Sequence, residues 1–341
     1  MREYRFDVVR VVCMTYLIAF FHLYGYVYTG IKASIVYSAS TAMAHACLGL
    51  FTFVSGYLLG KKYCFAQHGN TEVWFFYRKR ILRIIPLFVV SSIALWLIGF
   101  NTAAATWNGL ICVSPFVDPK PLTLYYIPVI LWCYLVTPFV SRFGLKWRIF
   151  SCLSLFGLFL IARIIFPSVD NRFVFDVFFY FVGVVSAPYF DWKFNISYGT
   201  ILKSSIILLF LFLAAIFFIY NSFICNSFCQ MVLGAAGVFV ILFICETVSK
   251  LLFDSHKNKE NGIKSLACQI VGFVSYASMA CYMFHRFFYW VAEKMWNPSV
   301  TSVKWLFMAG CVYPIIVVLS YVIQKMYDDI LGYVQLLKYT K

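Results

Sequence analysis

Charge is what this sequence has least of. Its 341 residues include 13 acidic and 28 basic side chains, 12% in all, against about a quarter in a soluble domain. That shortage excludes a water-soluble globular fold of this length. Histidine is rarer still, at five residues. None stands at metal-ligand spacing from cysteine, so no metal is expected. The 12 cysteines are scattered singly and mostly lie in apolar runs, where they read as small packing residues. Cys225 and Cys229 are the exception, close enough to bond in an oxidising compartment, although the unpaired reading is favoured. Heptads, low-complexity tracts and soluble repeats are missing. No polar stretch is long enough for a separate soluble domain, so residues 1–341 read as one membrane domain.

What the chain does have is apolar surface. It is 63% hydrophobic and 21% aromatic, and only lipid tolerates that as a solvent. A spanning helix needs roughly 20 apolar residues. By that measure ten spans are expected, near 8–28, 40–60, 84–100, 123–140, 149–166, 174–188, 204–220, 229–249, 266–290 and 303–324. An even number puts both termini on one side, and most of the 28 cations fall there, which makes that side the cytoplasm. The net charge of +15 therefore reads as topology, and nucleic acid is not an expected partner. The first span is too long for a cleaved signal peptide and reads as an uncleaved anchor. Residues 61–83 read as a polar cytoplasmic loop that turns basic and enters the third span at Pro86. Residues 101–122 read as an irregular outer loop. Pro128 is expected to kink the fourth span and Pro138 to end it.

Ionisable residues inside spans are costly and commonly line a functional cavity. The first span opens with Asp7 and Arg10 and carries His22 about 18 Å further on. By depth, His22, His45, Arg163, His285 and Arg286 all fall in the outer half of their spans. His45 reads first as a helix–helix hydrogen-bond partner. For His22 and His285, with Arg10 and Arg286 near them in sequence, the functional reading leads. Arg80 and Arg83 are three residues apart, on one face of a helix. Arginine forks suit phosphate, although positive-inside anchoring explains them about equally well from spacing alone.

Together these residues resemble the acyltransferase-3 family of integral membrane acyltransferases, typified by bacterial O-acetyltransferases of surface polysaccharides. The resemblance rests on Asp7-x-x-Arg10 followed by His22, and on Phe51-Thr52-Phe53-Val54-Ser55-Gly56-Tyr57-Leu58-Leu59, which is similar to the family's FFxxSGFLL segment. Arg80-Ile81-Leu82-Arg83-Ile84-Ile85-Pro86 is similar to its RxxR motif before a proline. The aromatic span from Tyr125-Tyr126 through Trp132 and Tyr134 to Pro138 fits, as does the late Ser278-Met279-Ala280-Cys281-Tyr282-Met283-Phe284-His285. One spacing departs from the pattern. Eleven residues, where the family usually has ten, separate Arg10 from His22. Twelve α-helical steps turn the two about 120° apart, whereas eleven would leave about 20°. Either a π-bulge absorbs the extra residue, or Arg10 and His22 do not share a face.

The resemblance implies an all-α bundle in the bacterial cytoplasmic membrane that moves an acyl group, most commonly acetyl, from cytoplasmic acyl-CoA. The acceptor would be a hydroxyl of a surface polysaccharide or its lipid-linked precursor. It further implies that Arg80 and Arg83, with Arg10 assisting, hold the donor's phosphates and that His22 acts as general base. His285 and Arg286 would orient the acceptor or stabilise an oxyanion, with Arg163 and His45 as further acceptor contacts. Ser55-Gly56 reads as a close helix approach. The competing readings are a transporter or flippase for a lipid-linked glycan, and a non-catalytic partner of polysaccharide-assembly proteins.

Overall fold

A backbone in lipid must satisfy its own hydrogen bonds, and a sequence with long apolar runs does so as helices. The computed structural model describes residues 4–27, 35–62, 70–187, 203, 206–207, 227–253 and 262–339, and no strand occurs among them. The helices are α1 (Tyr4–Tyr16), α2 (Leu23–Val27), α3 (Ile35–Lys62), α4 (Asn70–Leu97), α5 (Ala103–Leu110), α6 (Tyr126–Ser141), α7 (Leu145–Ile165) and α8 (Asn171–Ser186). They continue as α9 (Ser227–Phe253), α10 (Gly262–Met295), α11 (Thr301–Phe307) and α12 (Tyr313–Tyr339). Two π turns, Leu17–His22 and Met308–Val312, join α1 to α2 and α11 to α12 without a break. Among the described residues, 6 helices are long and apolar enough to cross a membrane. The chain is an integral membrane protein. Most of the expected span near 204–220 lies outside the described residues, as does Cys225 of the Cys225–Cys229 pair, while Cys229 falls in the first turn of α9.

Three local expectations are corrected. The loop expected over 61–83 is shorter, because α4 begins at Asn70 and carries Arg80, Arg83 and Pro86 inside it. Pro128 occupies the third position of α6, whose helix runs past Pro138 to Ser141. In the first turn of a helix the N–H has no partner to lose, so proline costs little there. The segment 101–122, expected as a loop, holds α5, started by Thr102, whose hydroxyl accepts from the Ala105 amide at 3.2 Å. The rest of that loop closes on itself. Asn101 accepts from the Leu122 amide, and Asn108 donates to the Pro119 carbonyl.

The helices gather into two compact units. One comprises residues 34–242, the other 1–33 with 243–341. In the 34–242 unit, α3 and α8 pack closely along their length. A Cβ on Gly56 would overlap the Tyr180 carbonyl oxygen, and one on Gly183 would overlap the Phe53 carbonyl. Gly60 meets Val184 in the same way. Small residues four apart let two backbones touch, which is how helices associate where lipid supplies no hydrophobic drive. Around this crossing sits an aromatic core that includes Phe76, Tyr125, Phe173, Tyr180 and Phe181. Buried Arg148 donates to the Ser141 and Phe143 carbonyls at 3.3 Å each, where α6 ends and leaves such groups open.

The other unit packs α1 on α10 and α10 on α12, with the two π turns touching each other. Its charges are taken up locally. Asp7, buried, accepts from the Ser275 hydroxyl at 2.6 Å and lies 3.6 Å from Arg10. Arg5 reaches buried Glu246 at 3.4 Å, and Lys304 meets Glu293 at 2.7 Å.

Candidate active site

The site grows out of the first π turn. A π turn holds one residue more than an α turn and is common where function sits. Here it spans Leu17–His22, so the twelve steps from Arg10 to His22 turn like eleven. The two residues return to within about 20° of one another. Of the two alternatives left open by the spacing, the π-bulge is the one the chain adopts. Both Asp7, beside Arg10, and His22 meet the same helix, α10.

His22 Nδ1 lies 2.6 Å from His285 Nε2, and the rings stand nearly parallel at 3°, with centroids 4.7 Å apart. The hydrogen-bond partners of His285 fix the protons. Its Nδ1 faces two backbone carbonyls, Tyr282 at 2.9 Å and Cys281 at 3.1 Å. Carbonyl oxygens only accept, so Nδ1 carries the hydrogen and Nε2 of a neutral ring keeps a lone pair. That lone pair accepts from His22 Nδ1–H. The remaining nitrogen, His22 Nε2, is left bare. His285 is fully buried at 0% exposure, whereas His22 is only partly covered. The pair is therefore oriented from the inside outward, with its free lone pair on the more accessible ring.

Neighbouring groups on α10 hold the turn as well. Arg286 Nη1 donates to the His22 carbonyl at 3.4 Å, its guanidinium lies 5.1 Å from the Tyr26 ring, and the Tyr26 hydroxyl donates to the Arg286 carbonyl. Tyr289 donates to the Ile18 carbonyl at 3.3 Å. Arg10 stands apart from this cluster, twelve residues or about 18 Å down the first helix, at its pairing with Asp7.

The other sequence-derived candidates belong to the 34–242 unit. Arg80 is flanked by the rings of Tyr134 at 5.3 Å and Phe76 at 5.7 Å. Arg83 is exposed. Arg163 donates to the Asn171 side chain at 2.5 Å and to the Pro167 carbonyl at 3.4 Å, which ties the end of α7 to the start of α8. His45 sits edge-on to Phe175, and a Cβ on Gly234 would meet its Cβ at 2.9 Å.

Residues 3–325 match the family described as an acyltransferase domain, acyltransferase-3. The chain belongs to the acyltransferase-3 family. No curated protein and no solved structure matches it. For an acyltransferase, a bare imidazole nitrogen backed by a second, buried imidazole is chemically apt. The partly covered ring can take a proton from a hydroxyl, and its partner stabilises the cation that forms. Sequence reasoning named His22, His285 and Arg286 and missed Tyr26 and Tyr289, which bond to Arg286 and to the π turn, and Ser275, which bonds to Asp7. Tyr289 had a readable signal. It lies four residues after His285 and so shares its helix face.

Proposed function

We propose that this acyltransferase moves an acyl group, acetyl in the first instance, from acyl-CoA in the cytoplasm to a hydroxyl. The acceptor is a surface polysaccharide or its lipid-linked precursor, and the enzyme sits in a bacterial cytoplasmic membrane. The reading includes ten spans with both termini in the cytoplasm. The observation that carries it is the His22–His285 pair, because its hydrogen bonds leave one nitrogen bare on a ring that is only partly buried.

In this mechanism His22 Nε2 accepts the proton of the acceptor hydroxyl as its oxygen attacks the thioester carbonyl. His285, uncharged and fixed by two carbonyls, receives the hydrogen bond of the imidazolium. The new C–O bond forms, the C–S bond breaks, and the proton passes from His22 to the leaving thiolate. Arg286, held against Tyr26, is the cation nearest to the pair in sequence and supports the developing oxyanion. Arg83, exposed, and Arg80, three residues earlier, offer forks for the donor's phosphates. Arg10, His45 and Arg163 remain secondary contacts in this reading.

The test is transfer of labelled acetyl from acetyl-CoA by membranes holding the wild type, His22→Ala or Arg83→Ala. Label entering a glycan fraction with wild type, falling about 10²-fold or more in His22→Ala, is the expected result. Arg83→Ala is expected to raise the donor KM about tenfold, the scale of one charged hydrogen bond. Full activity in His22→Ala, at equal protein level, removes the base assignment. No donor-dependent label in any fraction removes the proposal as a whole.

A further inference from the structure

The π turn that presents His22 interrupts the regular i→i−4 ladder, and such an interruption needs support from outside the helix. That support comes from one face of α10. His285 bonds the His22 ring, Arg286 bonds the His22 carbonyl, and Tyr289 bonds the Ile18 carbonyl within the turn. His285 and Tyr289 are one turn apart, with ring centroids 6.4 Å apart and nearly perpendicular. Tyr289 is fully buried, at 0% exposure. A buried phenol costs free energy unless its hydroxyl finds a partner, and here the partner is a backbone oxygen four residues from His22.

The second π turn adds to the case. Met308–Val312 packs against Leu17–His22, so the segment that aims His22 rests on another irregular turn. A regular helix would offer evenly spaced ridges there. Just past that second turn, Tyr313 shares a hydrogen bond with Thr15 at 2.8 Å, which ties α12 to α1 below the first π turn. The two phenols thus brace α1 and its extension at different places. Tyr289 grips inside the turn, and Tyr313 grips the straight helix before it.

We propose that Tyr289 is a positioning residue for the histidine pair, its hydroxyl locking the π turn at the Ile18 carbonyl so that His22 stays against His285. It touches no substrate. It acts on the direction of the His22 ring and therefore on which nitrogen is left bare. This rests on the pair's role in acyl transfer, yet its geometric content can be tested without that reaction.

Tyr289→Phe keeps the ring and deletes only the bond. Two readouts are taken from the same membranes. In acetyl transfer from acetyl-CoA, kcat falls about threefold to tenfold, the scale of one neutral hydrogen bond, with the donor KM unchanged. In ethoxyformylation of histidine by diethyl pyrocarbonate, mapped to His22 by mass spectrometry, the rate falls about threefold or more as the bare nitrogen is no longer fixed. Tyr313→Phe, which removes the other brace, leaves both readouts at the wild-type level and serves as the folding control. Wild-type kcat together with wild-type His22 labelling in Tyr289→Phe overturns the inference. So does an equal fall in Tyr313→Phe, because it would assign the effect to general loosening. If no sample transfers acetyl at all, the acyl-transfer reading fails while the labelling arm still decides the role of Tyr289.

Discussion

The two units solve the problem of packing in lipid by different means. The 34–242 unit brings backbone against backbone. Gly56, Gly60 and Gly183 let α3 and α8 touch, and large aromatic rings fill the space beside the crossing. The other unit is braced by side-chain polar bonds. Asp7 to Ser275, His22 to His285, Tyr289 to Ile18 and Thr15 to Tyr313 all join separate helices. Close backbone contact gives rigidity without functional groups, whereas a polar seam gives less packing but places titratable atoms at chosen distances. The candidate chemistry sits in the unit built on the polar seam.

Breaking each unit in its own way sharpens that contrast. The largest expected effect is on rate. His285→Ala removes the acceptor for His22 Nδ1–H, and acyl transfer is expected to fall about 10²-fold, with the thermal midpoint little changed. An equal loss of folded protein would mean that the histidine pair is structural. Next comes Gly56→Ala, whose new methyl meets the Tyr180 carbonyl. Overpacking of this kind costs about 1–3 kcal/mol. The yield of folded protein and its thermal midpoint should drop, while kcat per folded molecule is retained. Unchanged stability would show that α3 and α8 can part without cost.

The smallest effect lies at the start of α8. Asp170 accepts from the Arg172 amide at 2.8 Å and pairs with its guanidinium at 2.6 Å. Burial pushes the Asp170 carboxyl up, but the Arg172 contacts outweigh it and hold the group below the ordinary carboxylate value. A lowered carboxylate contributes stability above its unfolded pKa and loses it as pH falls through the folded one. Asp170→Ala is therefore expected to cost about 1 kcal/mol at neutral pH, typical of a helix N-cap. The gap to wild type should close on acidification, as read by thermal midpoints across a pH series. A constant gap would locate the effect in packing.

Much of this was legible in the chain itself. Apolar runs announced helices because lipid leaves the backbone no other partner. His22, His285 and Arg286 stood out because an ionisable group in such a run is costly. The eleven-residue gap after Arg10, one more than the family usually has, left either a π-bulge or two separate faces, and the π turn decides for the first. Boundaries were harder to read. Arg78, Lys79, Arg80 and Arg83 look like loop residues by hydropathy, yet α4 carries them, because a helix can extend beyond the apolar layer at little cost. The Ala-rich stretch after Thr102 also had a readable cap that the surrounding turn residues obscured.

The sequence by itself determined the solvent, the secondary structure and the residues too expensive to be idle, since each follows from composition and local period. Which of those residues meet was decided only by tertiary structure. His22 and His285 are 263 positions apart, and no local period links them. Their bond, the tautomer it fixes and the hold of Tyr289 on Ile18 arise because α1 and α10 pack with one π turn in register. That register is set by long-range side-chain contacts, which a one-dimensional pattern does not contain.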